Sequence, residues 1–162
     1  MDPSELPAYL RGIADRIEAD ASTPAVLAMA HTFERAVKRT LSLRSRGMHD
    51  FRPRGERGQP PAIRSGALRG SVRTFGTTPG GLVASSRVAP FVFYAGVQEW
   101  GHEMHARPGG YMNFWSGGEW YLKQHVHVGP NPYMRPTIAA CIANGSLGRA
   151  AADAFEVAAW GR

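Results

Sequence analysis

The spacing of apolar residues is the feature that most constrains this chain, because that spacing changes along the sequence. Near the N-terminus, apolar residues recur every three or four positions, which is the period of a helix with one buried face. Two such stretches fall within residues 1–46, separated by Ala21-Ser22-Thr23-Pro24. Ser22 or Thr23 can cap the second helix, with Pro24 at its first position. The apolar positions are Leu6, Tyr9, Leu10, Ile13 and Ile17 in the first helix, and Val26, Ala30, Phe33, Val37 and Leu41 in the second.

Strand signals dominate the middle of the chain. Residues 72–75 and 82–88 flank a turn and predict a hairpin, and residues 120–128 alternate so that His125 and His127 share one face of a strand. Residues 65–71 are predicted to be a short helix, residues 91–100 a helix or a strand, and the glycine- and aromatic-rich residues 101–119 an extended loop or a long hairpin. Helical spacing returns in residues 133–160, where Asn144-Gly145 can split the helix.

These periods predict an α+β fold with long N-terminal helices, a small antiparallel β-sheet and a C-terminal helix. A length of 162 residues predicts a single domain. Its parts are a helical region at 1–46, a flexible basic loop at 47–62, a mainly β region at 63–128 and the last helix at 133–160. Residues 101–119 are expected to add an aromatic, glycine-rich hairpin.

Cysteine content and hydropathy limit the environment in which the chain works. Cys141 is the only cysteine, so an intrachain disulfide is excluded. Within its apolar helical pattern it is expected to be a small buried hydrophobe. No stretch approaches the roughly 20 apolar residues of a membrane helix. The acidic N-terminus lacks an apolar signal core, and we therefore expect a soluble protein in a cytoplasm.

Positive charge is concentrated in one segment. The whole chain carries a net charge of +6, but residues 35–73 hold eleven basic residues against two acidic ones. Such a segment indicates contact with a polyanion or an acidic protein, although a solvated loop explains it equally well. The candidate DNA- or partner-facing residues are Arg44, Arg46, Arg52, Arg54, Arg57 and Arg64.

Histidines provide the main candidates for metal chemistry. His102 and His105 flank Glu103 but have i, i+3 spacing, whereas the helical zinc signature needs i, i+4. His125 and His127 can chelate a metal from one strand face, but a third ligand is not evident. We therefore expect His125 and His127 to be half-exposed strand residues, and we predict no metal site and no cofactor. Cys141 has no recognisable base, and no phosphate-binding loop is present, so no catalytic residues are predicted.

Aromatic residues crowd around the glycines of residues 101–121. The candidates for an interface are Tyr111, Phe114, Trp115 and Trp120. They either pack on their own domain or anchor a partner, since Trp and Tyr are favoured at interfaces.

Three short segments, in order, resemble elements of the siphophage tail-component family, which includes tail-completion and head–tail joining proteins. They are Pro61-Ala62-Ile63-Arg64-Ser65-Gly66-Ala67-Leu68-Arg69, then Tyr94-Ala95-Gly96-Val97-Gln98-Glu99-Trp100-Gly101, then Pro132-Tyr133-Met134-Arg135-Pro136. The last resembles the element that opens the family's final helix. Three elements in family-like order and spacing are more specific than any one of them.

The resemblance implies architectural roles for the residues of these elements. Gly66 is expected to allow a tight entry into a short helix, and Leu68 and Tyr94 to pack in the core. Glu99 is expected to pin a loop by accepting backbone N–H bonds, close to Gly101. Pro132 and Pro136, which lie on either side of Met134, are expected to set the angle of the last helix.

The family implies a structural, non-enzymatic subunit that forms a ring at the head–tail junction of a virion, after assembly in the host cytoplasm. Its expected partners are copies of itself, neighbouring head-closure, tail-terminator or tail-tube proteins, and genomic DNA without sequence preference, but no membrane. One alternative is a nucleic-acid-binding protein acting through residues 35–73. Another is a metal-dependent enzyme using His102, His105, His125 or His127.

Overall fold

Helices lie at both ends of the chain, with short strands between them. A computed structural model describes residues 6–43, 61, 66–79, 83–116 and 119–160. The described helices are α1 (Leu6–Asp20), α2 (Ser22–Ser42), α3 (Ala67–Ser71), α4 (Ala95–Trp100), α5 (Met134–Ala143) and α6 (Ser146–Trp160). The strands are β1 (Val72–Thr78), β2 (Ser85–Pro90), β3 (His102–His105), β4 (Met112–Ser116), β5 (Glu119–Lys123) and β6 (His125–Val128). The predicted α+β class is confirmed.

The strands form separate pairs, unlike the single small sheet that the sequence predicted. Among the described residues, β1 pairs with β2, β3 with β6, and β4 with β5. Both of the last two pairs are antiparallel. The β4–β5 pair is nested between the strands of the β3–β6 pair, so residues 102–128 form one long, interrupted hairpin.

The described contacts group into two compact units. The first comprises the described residues of Met1–Ala36, Arg73–Ala89 and Ile138–Arg162. In it, α1 contacts α6, and the carboxylate of Glu34 accepts hydrogen bonds from the backbone N–H and the hydroxyl of Thr74, both at 2.8 Å. Its buried apolar residues are Ile13, Ala21, Ala30, Cys141, Leu147 and Ala159. Burial of Cys141 confirms the prediction for this residue.

The second unit comprises the described residues of Val37–Val72 and Pro90–Thr137. Its core contains Val37, Leu41, Val72, Ala95 and Tyr133, together with two buried polar residues, Glu99 and Thr137. The hydroxyl of Thr137 donates to the carbonyl oxygen of Tyr133 at 2.6 Å. Because that proton is engaged, the hydroxyl of Thr40 donates to Thr137 across 2.9 Å. These bonds join the end of α2 to the start of α5.

The apolar stripe predicted for the second helix is confirmed. Ala30, Val37 and Leu41 are buried, and Val26 and Phe33 are half-buried. Burial on one side follows directly from the spacing of three and four residues.

The predicted C-terminal helix is divided into α5 and α6. The side-chain oxygen of Asn144 accepts the backbone N–H of Ser146 at 2.9 Å, which satisfies a free donor at the start of α6. None of the described helices is long and apolar enough to cross a membrane.

Candidate functional site

The second and third sequence elements meet at the side chain of Glu99. Glu99 lies near the end of α4 and is 5% exposed. Its Oε2 accepts the backbone N–H groups of Tyr133 and Met134 at 2.8 and 2.9 Å, and its Oε1 accepts that of Arg135 at 2.9 Å. The predicted acceptor role of Glu99 is confirmed, and the segment it holds is the N-terminus of α5.

The first turn of a helix leaves N–H groups without intrahelical partners, and a negative charge there is favourable. Pro136, in the first turn of α5, has no N–H to satisfy. Glu99 therefore supplies acceptors for the donors that precede this proline. A second bond ties the same segments together, since the N–H of Asn131 donates to the carbonyl oxygen of Gln98 at 2.7 Å.

The side chain of Arg135 also contacts Glu99 and Trp100. Its Nε lies 3.1 Å from Oε1 of Glu99, and its Nη2 donates to the carbonyl oxygen of Glu99 at 3.0 Å. The guanidinium carbon lies 3.9 Å from the centre of a ring of Trp100, which is a cation–π distance. We call Glu99, Tyr133, Met134, Arg135 and Trp100 the α5 clamp. Arg135 and Trp100 were not predicted as site residues, although both lie inside the quoted elements.

The electrostatics of the clamp favour the charged form of Glu99. Burial alone would raise the pKa of its carboxyl, but the hydrogen bonds from Tyr133, Met134 and Arg135 outweigh burial and lower the pKa. Burial, followed by the negative charge of Glu99 and by Tyr94, raises the pKa of Tyr133 to about 12. Tyr133 is fully buried, and its hydroxyl has no hydrogen-bond partner among the described residues.

Gly101 allows the chain to turn directly after α4. Its φ is 75°, and its N–H donates to the carbonyl oxygen of Val97 at 2.9 Å. A Cβ at this position would lie 2.7 Å from the carbonyl oxygen of Val128 and 3.0 Å from the nitrogen of Pro130. Only glycine fits this conformation and this close approach.

The first sequence element is described in part. Gly66 has a φ of 76° and precedes α3, and its carbonyl oxygen accepts the N–H of Gly70 at 2.8 Å. This confirms the tight entry into a short helix. Leu68 and Tyr94, expected in the core, are only half-buried. The five-residue α3 buries none of its residues; the buried positions are Val72, directly after α3, and Ala95, directly after Tyr94.

The candidate interface aromatics occupy the β4–β5 hairpin and its entrance. Tyr111 and Trp120 are exposed, whereas Phe114 is half-buried and stacks on Tyr121 with ring centres 5.8 Å apart. Trp115 is opposite Trp120 in the register of the two strands. Packing within the hairpin therefore applies to Phe114, and anchoring of a partner stays a prediction for the exposed Tyr111 and Trp120.

His125 and His127 of β6 lie beside Glu103 of β3, an acid that sequence reasoning linked only to His102 and His105. His125 and His127 approach the two carboxylate oxygens of Glu103 at 3.1 and 3.4 Å, which confirms that they share a face. The hydrogen bond and the charge of His125 lower the pKa of the exposed Glu103 carboxyl. Glu103 and His105, and likewise His125 and His127, occupy alternate positions, and this was the available signal, but the strand pairing was not visible in the sequence.

The predicted basic residues Arg44, Arg46, Arg52, Arg54, Arg57 and Arg64 lie outside the described residues, as does most of the predicted loop at 47–62. No protein-family model matches the chain, and no curated protein and no solved structure matches it. The geometry thus defines an α+β protein whose most developed polar site, the α5 clamp, holds two segments of its own chain together.

Proposed function

We propose that this chain is a structural virion protein of a long-tailed bacteriophage, a tail-completion or head–tail connector subunit that forms a ring at the head–tail junction. The observation that carries the proposal is the α5 clamp. The second and third family-like elements, 31 positions apart between Gly101 and Pro132, interact through the residues that define them. All described residues of the three elements also fall in the second compact unit.

A structural role agrees with the chemistry of Glu99. A general base needs a free lone pair and a pKa near the working pH. Both oxygens of Glu99 are engaged by backbone N–H groups, and its pKa is lowered. This acid is suited to holding a helix end rather than to accepting a proton.

Exposed aromatic side chains beside the clamp support association with neighbouring subunits. Phe93, two residues before α4, is 97% exposed, and its ring packs edge-to-face with that of Tyr94, with ring centres 5.3 Å apart. Phe91 and Trp100 are also exposed. Large exposed aromatics are typical anchors of protein interfaces, and a ring requires two different surfaces that close on each other.

Quantitative mass spectrometry of purified virions tests this function. The phage is grown from the genome that encodes this chain, and its particles are purified away from host lysate. The expected result is a constant, low number of copies per particle, comparable to that of other junction proteins. Absence of the chain from intact, infectious particles would overturn the proposal.

A free nucleic-acid-binding protein is the second candidate, favoured by the basic segment at 35–73. It predicts tight binding of the isolated chain to duplex DNA, with affinity falling steeply as salt rises. Fluorescence anisotropy with Arg52→Ala and Arg54→Ala, and Arg149→Ala as a control in α6, separates the two functions. A connector subunit is expected to bind free DNA weakly, with little difference among these variants, whereas loss confined to the first two supports the second candidate.

A further inference from the structure

Four metal-ligating side chains lie together on one face of the β3–β6 ribbon. Glu103 is directly opposite His127, and His105 is directly opposite His125. Alternate residues of a strand share a face, and directly opposed residues of an antiparallel pair lie on the same face. We call these four residues the ribbon-face cluster.

The two contacts of Glu103 within the cluster have distances close to those of a coordination shell. One ligand atom from each of Glu103, His105 and His125 lies within 4.8 Å of the other two. The oxygens of Glu103 lie 3.1 Å from Nε2 of His125 and 3.4 Å from Nδ1 of His127. Ligand atoms bound to a tetrahedral zinc ion are about 3.3–3.6 Å apart, given metal–ligand distances of about 2.0–2.2 Å.

The remaining contacts of the cluster keep the rings close. The rings of His105 and His125 have centres 4.7 Å apart and are inclined by 33°. All four side chains are exposed, so an ion can reach them directly from solvent. Metal binding would replace the hydrogen bond between Glu103 and His125 with one bond from each residue to the ion.

We propose that the ribbon-face cluster binds one divalent transition-metal ion, Zn²⁺ in the first instance, through Glu103, His105 and His125, with His127 as the fourth ligand. Imidazole nitrogens together with one carboxylate suit Zn²⁺ and its neighbours far better than Mg²⁺ or Ca²⁺, which require oxygen ligands. A site with four protein ligands is of the structural kind. This inference does not depend on the function proposed above.

The expected effect of the ion is to stabilise the pairing of β3 with β6. A two-stranded hairpin is marginally stable alone, and the ligands come in equal numbers from β3 and β6. An ion that binds only the paired strands shifts the equilibrium toward the folded state. Metal loading therefore raises the melting temperature and slows amide exchange in β3 and β6.

Isothermal titration calorimetry of the untagged full chain with ZnCl₂ tests the site. We expect one equivalent of Zn²⁺ to bind the wild-type chain, and His125→Ala to weaken binding by at least about tenfold, since even indirect support of a ligand is worth about that much. His102→Ala is the matched control. His102 is exposed, lies in the same strand and is one residue out of phase with the cluster. It is expected to leave the affinity unchanged.

Glu103→Gln provides a conservative second variant that preserves size and strand propensity. Co²⁺ serves as the optical probe, because tetrahedral coordination gives strong visible absorption. We expect this absorption in the wild-type and His102→Ala chains and its loss in Glu103→Gln and His125→Ala. Failure of the wild-type chain to bind stoichiometric Zn²⁺, or equal weakening by His102→Ala and His125→Ala, would overturn the proposal.

Discussion

At the scale of single residues, Glu99 connects parts of the chain that are distant in sequence. Its carboxylate accepts N–H groups from residues 34 to 36 positions away. A buried carboxylate is costly unless it is saturated with donors, and here the donors are groups that a helix end would otherwise leave unsatisfied. The same hydrogen bonds therefore compensate both the buried charge of Glu99 and the free N–H groups at the start of α5, and replacing Glu99 removes them.

We expect Glu99→Gln to lower the free energy of unfolding by about 2 kcal/mol at neutral pH, because an amide accepts through one atom and presents a competing donor. The pKa of the Glu99 carboxyl is lower in the folded chain than in the unfolded chain. Its contribution to the free energy of unfolding is therefore fully present above the unfolded pKa and is lost as the pH falls through the folded pKa. The gap between wild type and variant should therefore narrow below pH 4.5. Urea unfolding curves across a pH series measure this gap.

Glu156→Gln, an exposed substitution in α6, is the control, and it is expected to change stability by less than about 0.5 kcal/mol. A Glu99→Gln variant as stable as this control at neutral pH would contradict the role of the clamp.

Gly101→Ala tests the close approach after α4. The positive φ and the contact of the new Cβ with the carbonyl oxygen of Val128 are expected to cost about 2–3 kcal/mol. Gly96→Ala within α4 is the matched control, because its Cβ would meet nothing within 4 Å. Alanine is the better helix former, so this control is expected to gain about 0.5–1 kcal/mol. Thermal or urea unfolding measures both, and a Gly101→Ala chain as stable as the wild type would contradict this geometry.

At the scale of elements, local periodicity predicted the helices better than the strand pairing. The stripe from Val26 to Leu41 identified α2, because a helix satisfies its backbone within itself. The alternation of residues 120–128 identified extended chain but not its division at Gln124. That division arises because β5 and β6 have different partners, which are separated by six residues on the other side of the hairpin.

Long-range pairing also limited what could be predicted for the two polar sites, the α5 clamp and the ribbon-face cluster. An acceptor role for Glu99 was predictable from the family-like element, whereas its donors come from pairing α4 with the start of α5. The ribbon-face cluster depends on the β3–β6 register, and a shift of one residue would place Glu103 opposite a valine. Sequence therefore supplied the residue types, and long-range pairing determined which of them meet.

The stacked pair in the β4–β5 hairpin gives a prediction at this scale. A double-mutant cycle with Phe114→Ala and Tyr121→Ala is expected to yield a favourable coupling of about 0.5–1 kcal/mol. The control cycle uses Asn113→Ala and Leu122→Ala, which are directly opposed in the same hairpin and exposed. Urea unfolding of the wild type, the four single variants and the two double variants gives both values. Coupling no larger than that of the control would mean that the stacked rings do not stabilise the hairpin.

At the scale of the whole molecule, the chain combines a helix end held by many hydrogen bonds with exposed aromatic residues that suit assembly. The α5 clamp fixes the segment that carries the third family-like element, and Phe93 stands exposed just before α4. The basic segment at 35–73 carries the positive charge that we propose meets DNA or an acidic neighbour. These features support the proposal of a subunit that works through its surfaces.

Phe93→Ser tests the assembly surface. Since the side chain is almost fully exposed, removing the ring should leave the melting temperature within a few degrees, as is usual for surface changes. Self-association, measured by native mass spectrometry and analytical ultracentrifugation, should weaken by at least about tenfold if the ring anchors a neighbouring copy. Thr78→Ser, an exposed substitution in β1, is the control. Unchanged association of Phe93→Ser would remove this residue from the interface.

The most direct test of the central claim is a cryo-electron microscopy map of the intact virion at the head–tail junction. We predict a closed ring of density into which the second compact unit fits, with α4, the α5 clamp and the 102–128 hairpin resolved in each subunit. A junction whose rings are all accounted for by other chains, with no density matching this fold, would contradict the account.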